Sequence, residues 1–227
     1  MKVDVRHAPS FAVARCVLGS GEKVKVEAGA MSAHSSGMSL EAKMEGGVLK
    51  GLKRSVLGGE SLFISTYTAP AQGGWVDVAA KLPGDLRVIE LNGSTSWIIE
   101  RGNWLASEDG VDVDTKWGGF KSLVGGEGGF MAHASGIGKV IVASYGAIDT
   151  ISLAAGETVV VDTSHMLAFP DTVTYDLRRA VQGRSIQSVK SGEGLVFEFT
   201  GPGDILTQTR NQAQLIAWLN TELGARE

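Results

Sequence analysis

One short stretch occurs three times in the chain, and any fold must give it the same backbone three times over. The segment GEKVKVEAGAMSA, residues 21–33, aligns without a gap to GETVVVDTSHMLA, residues 156–168. A more divergent copy, WIIERGNWLA, occupies residues 97–106. In register, Val26 matches Ile99 and Val161, and Glu27 matches Glu100 and Asp162. Gly29, Gly102 and Ser164 then align, as do Met31, Trp104 and Met166, and finally Ala33, Ala106 and Ala168.

Each copy reads as strand, tight turn, strand. Val24 and Val26 are β-branched residues two apart, so both point to one face of a pleat. Gly29 and Gly102 fall where the chain must reverse, and glycine permits the positive φ that such turns use. Glu27, Glu100 and Asp162 precede the turn by two residues. Each can accept hydrogen bonds from turn N–H groups, and that reading is preferred to three related carboxylate sites.

Two further markers follow in the same order. Gly58-Gly59-Glu60 returns as Gly125-Gly126-Glu127 and as Ser191-Gly192-Glu193, with Phe63, Phe130 and Val196 at one offset behind them. GGWVDVAA (73–80), GIGKVIVAS (136–144) and GPGDILTQT (201–209) come next. SLEAKM alternates as a strand, with Leu40, Ala42 and Met44 on one face. The expected architecture is all-β: three tandem lobes, each a short double-stranded β-helix or small sandwich, over 1–80, 81–145 and 146–210. Thirty-one glycines against five prolines suit many short strands joined by tight turns.

The tail differs in kind. Leu215, Ile216, Trp218, Leu219 and Leu223 recur at helical spacing, with Asn211 placed to cap the start and Gly224 to end the run. Residues 211–227 therefore predict one amphipathic helix, too short to stand alone in water, whose apolar face needs a surface.

Net charge is −4 and the pI is about 5.6, so no positive field draws the chain to DNA, and the same balance speaks against RNA. One cysteine, Cys16, lies in the apolar run VARCVL; it allows no internal disulfide and suits a reducing compartment. Arg15 interrupts the N-terminal apolar run before a signal core can form, and no run approaches a membrane span, so a cytoplasmic location is expected.

Candidate chemistry is sparse. His7, His34, His133 and His165 fall at non-equivalent places in the repeats, and no His-x-His pair suggests a metal. There is no Gly-x-Ser-x-Gly elbow, and GGEGGF (125–130) lacks the Lys-Ser/Thr of a phosphate loop. The pairs Asp112/Asp114 and Asp85/Glu90 read as solvated charge. No catalytic set, cofactor or metal is expected. Binding candidates are the basic glycine-rich stretch with Lys50, Lys53 and Arg54, and the cluster of Arg178, Arg179 and Arg184. Either can face a phosphate or lipid head group, though clusters of this size also mark a solvated face or a subunit contact.

GETVVVDTSHMLAFPDTVTYDLRR, GEGLVFEFTGPGDILTQTRN and LVGGEGGFMAHASGIGKVIVASYG resemble the family named for altered inheritance of mitochondria. The likeness spans nearly the whole chain, from about Gly19 to Asn211. It implies a fold like that of the tryptophan RNA-binding attenuation protein, fused three times, and homotrimers in which nine lobes form a ring. It carries over no catalytic residues. Eukaryotic members are mitochondrial and linked to inner-membrane organisation.

Two readings of function follow. One is a non-enzymatic scaffold, a β-ring that engages a partner protein or a membrane-associated complex. The other is a binding module for a small molecule or RNA built on the same ring, an analogy at the level of fold alone.

Overall fold

The computed structural model describes residues 1–44, 63–114, 131–180 and 195–224. The first seven strands are β1 (Lys2–Arg6), β2 (Val13–Leu18), β3 (Lys23–Glu27), β4 (Met31–His34), β5 (Ser39–Met44), β6 (Phe63–Thr68) and β7 (Gly74–Ala79). Next come β8 (Leu86–Asn92), β9 (Trp97–Glu100), β10 (Trp104–Glu108), β11 (Val111–Asp114) and the long β12 (Met131–Ala143). The last six are β13 (Ile148–Leu153), β14 (Thr158–Asp162), β15 (Met166–Pro170), β16 (Thr174–Arg179), β17 (Leu195–Thr200) and β18 (Gly203–Gln208). Helix α1 (Gln212–Leu223) closes the chain. The protein is all-β apart from that helix, and every named strand pair is antiparallel.

One order of pairing recurs. In the first group β7 lies between β2 and β4, while β6 lies between β3 and β5. In the third group β18 lies between β13 and β15, and β17 between β14 and β16. The second group does the same with one strand. The C-terminal half of β12 joins β8 and β10, and its N-terminal half joins β9 and β11. The change of partner falls at Gly136 (φ 101°) and Gly138 (φ 139°), backbone angles that a side chain would strain. Gly73 and Gly203 mark the corresponding crossings with φ of 79° and 148°.

A β-bulge accompanies each copy of the repeated stretch. The register slips between Met31 and Ala33 against β7, between Trp104 and Ala106 against β12, and between Met166 and Ala168 against β18. One extra residue bends the strand there and lets it turn from one sheet towards the next.

The groups share their cores. Val24 and Val26 of β3 pack with Leu105, Ala106 and Ile141. Trp104 and Ile99 pack with Leu167, Ala168 and Leu206. Ile98 and Met131 join Phe169, Phe197 and Phe199, where Phe169 meets Phe199 edge-on at 4.9 Å between ring centroids. Backbone pairing follows the same path, β3 with β10 and β9 with β15. Each fully buried Val, Leu, Ile or Phe contributes roughly 1.5–3 kcal/mol, so these shared cores hold neighbouring groups together.

Helix α1 begins with Asn211, whose Oδ1 accepts from the Gln214 N–H at 2.7 Å, and ends at Gly224 with φ 72°. Both ends are those expected from the sequence. The apolar face is not covered: no residue of α1 is buried, and Ile216 and Trp218 are each 57% exposed.

Candidate functional site

The basic candidates do not come together among the described residues. Lys50, Lys53, Arg54 and Arg184 lie outside those residues, as do the three Gly-Gly-Glu and Ser-Gly-Glu markers. Arg178 and Arg179 are exposed on β16, and the Arg178 guanidinium is paired with the Glu198 carboxylate across the β16–β17 ladder. A solvated cross-strand ion pair accounts for Arg178 without a ligand.

The aligned acids differ in their work. Asp162 accepts from the Ser164 N–H at 2.8 Å and from its hydroxyl at 2.5 Å, which is the turn cap expected. Glu27 instead takes the Lys81 ammonium at 2.6 Å, from a residue far along the chain. Glu100 stands before a 3-10 turn at Arg101–Asn103 and does not cap it with its side chain. The turn glycines part company too: Gly29 has φ 88°, whereas Gly102, inside the 3-10 turn, is not among the positive-φ glycines.

The histidines are scattered. His34 Nδ1 meets the Ser35 carbonyl at 2.8 Å, His133 Nε2 meets Ser96 Oγ at 3.0 Å, and His7 is an exposed turn residue with φ 61°. His165 Nδ1 donates to the Gln208 carbonyl at 2.7 Å, which leaves Nε2 to accept from Asn211 Nδ2 at 3.1 Å. Among the described residues no three His, Cys, Asp or Glu side chains are grouped to hold a metal ion. Burial pushes the Cys16 thiol up to about 12, so it stays protonated and unreactive. On β7, Asp77 holds both Arg15 (2.8 Å) and Arg6 (2.9 Å), and Arg15 lies 3.9 Å over the Trp75 ring. The Arg15 hydrogen bond is the chief reason that the Asp77 carboxyl titrates below the usual carboxylate range.

What the fold does bring into relation is its two outer edges. β3 and β9 each pair sideways with the bulged strand of the next group: Val26 with Ala106, and Ile99 with Ala168. β14 is the corresponding strand of the third group and β4 the corresponding bulged strand of the first. Both end their sheets. Exposure follows. Trp104 and Met166 are fully buried, while Met31, in the matching place on β4, is 36% exposed. Val160 on β14 is 50% exposed, against 3% for Ile98 on β9.

The comparisons agree with this architecture. The family model for mitochondrial biogenesis AIM24 matches residues 3–210. The chain belongs to this family. An uncharacterized protein of Streptococcus pyogenes serotype M6 is 29% identical, the match covering 98% of this chain and 91% of that protein. A crystal structure of an S. pyogenes protein superposes with a TM-score of 0.80 at 28% identity, covering 97% of this chain and 99% of the other. As an AIM24-family chain of this fold, it has no described helix long and apolar enough to cross a membrane.

Proposed function

We propose that this chain is a non-enzymatic scaffold of the cytoplasm that closes head to tail with two further copies into a ring of nine lobes. The lobes are the three groups of strands, taken as one triplicated module over 1–80, 81–145 and 146–210. The observation that carries the reading is that β14 and β4, the counterparts of strands paired at the internal junctions, each end their sheet. By correspondence with β3–β10 and β9–β15, the expected register sets Val161 opposite Ala33, Val160 opposite His34 and Val159 opposite Ser35.

An unpaired strand edge exposes a row of N–H and C=O groups that another strand can satisfy. A contact between unlike edges is heterologous, and it closes into a ring when the repeated rotation divides the circle. The family resemblance favours closure by three chains. Such a ring offers an extended rim to a partner protein or a membrane-associated complex, and the exposed apolar face of α1 adds to it.

Light scattering on the purified chain at micromolar concentration tests the ring. The expected mass is about three times the 23.8 kDa of one chain. Val160→Asp, a charge on an already exposed edge position, should reduce it to one chain with the fold retained. A native chain that runs as a monomer refutes the closure.

A further inference from the structure

We propose that His165 makes helix α1 pH-sensitive: a proton taken up at its Nε2 breaks the joint that fixes the start of the helix. The joint is a chain of three bonds whose donors and acceptors are all determined. The Gln214 backbone N–H can only donate, so Asn211 must give it the oxygen Oδ1, at 2.7 Å. That turns Asn211 Nδ2, a donor, towards His165 Nε2 at 3.1 Å. On the other side of the ring Nδ1 meets the Gln208 carbonyl at 2.7 Å, and a carbonyl can only accept. Nδ1 therefore carries the hydrogen and Nε2 the lone pair. All three bonds form only with a neutral ring.

A protonated ring has two donors and no acceptor. Its Nε2–H then faces the Asn211 NH2 group. Turning that amide over offers its oxygen to His165 but sets NH2 against the Gln214 N–H, so one bond is lost either way. Histidine is the side chain that changes charge between about pH 5 and pH 8. His165 is half-buried, so solvent reaches the ring without the β body opening. The charged groups around it are Asp162, bonded by the Ser164 N–H and hydroxyl in the same turn, and Arg210, whose guanidinium lies on the Thr209 carbonyl. Helix α1 brings no acid in its first turn. Because no residue of α1 is buried, packing does little to hold the helix once the joint is broken. Its release frees a segment that carries Ile216, Trp218 and Leu223 at exposed positions. The joint lies within one chain, so the proposal stands or falls apart from the ring.

The test follows the 13Cα and amide NMR signals of residues 212–223 in the full chain at about pH 7.5 and about pH 5.5. Acidification should raise the opening equilibrium of α1 about fivefold, the worth of one cap, with β12 unchanged. His165→Gln, which offers a donor and an acceptor at both pH values, should hold the helix equally at both. Asn211→Asp leaves the turn untouched and should reverse the response. Its carboxylate keeps the cap and accepts from the protonated ring, so acid should close the helix instead of opening it. Identical helix signals in the native chain at the two pH values overturn the proposal. So does a loss on acidification that persists in His165→Gln, or a response of Asn211→Asp in the native direction.

Discussion

Helix α1 should depend on a single side chain. Because none of its residues is buried, packing gives it little, and a twelve-residue helix is marginal in water without help. Asn211, 4% exposed, supplies that help twice, through Oδ1 to the Gln214 N–H and through Nδ2 to His165 Nε2. Loss of an N-cap costs about 1 kcal/mol, and loss of a buried hydrogen bond about 1 kcal/mol more. Asn211→Ala should thus destabilise the helix by about 2 kcal/mol, which is roughly thirtyfold in its opening equilibrium. Amide hydrogen exchange across 215–222 reads this directly: protection there should fall by that factor while β12 is unchanged. Asn211→Asp, which keeps the acceptor and loses the donor, should lose only about half of the free energy. Unaltered exchange in Asn211→Ala would refute the reasoning, and so would a β body that melts together with the helix.

Two further outcomes follow from the first group and its join to the second. The Asp77 carboxyl is held below its unfolded value of about 3.9, so it contributes stability above that pH and loses it as pH falls through the lower, folded value. Acid titration of Asp77→Asn followed by circular dichroism should therefore show a shallower loss of stability below about pH 4 than the native chain, and parallel curves would exclude the pairing as the cause. Gly84 pairs with Gly146 where the two inter-group connections meet, and a Cβ there would lie 1.9 Å from the Ser144 carbonyl oxygen. Gly84→Ala should lower the melting temperature by several degrees, since backbone rather than a mobile side chain must give way, and an unchanged melting point would show the connections to be plastic.

The local parts of the fold were legible in the sequence. Met31, Trp104 and Met166, aligned from sequence, are the residues at which the three bulges begin. Asn211 and Gly224 cap the helix as their types demand. The all-β class follows from the same strand–turn–strand pattern. The long-range parts were not legible, because a periodicity reports which face a residue takes and not what it meets there. Glu27 looks like Asp162 in the alignment, yet a lysine brought beside it by the β7–β8 connection takes its carboxylate. Asn103 gave a faint signal, as a polar residue aligned with Ala30 and His165, but its partner Gln208 lies 105 residues on. The continuity of β12 through Gly136 and Gly138 was equally hidden, since two glycines there read as a turn.

That one aligned position separates what the fold holds constant from what it varies. Val26, Ile99 and Val161 keep an apolar residue on the strand before the turn, and Ala33, Ala106 and Ala168 keep a small one after it, because sideways pairing of strands needs both. The turn between them is free to differ, and it does. Ala30 uses only its backbone, donating to the Glu27 carbonyl and accepting from Ala79. His165 bonds both Gln208 and Asn211 and so ties the third turn to the start of α1. Of these three residues, Asn103 is the one whose buried side-chain oxygen has no partner among the described residues. The proposed ring of nine lobes would be ninefold in backbone and only threefold in chemistry.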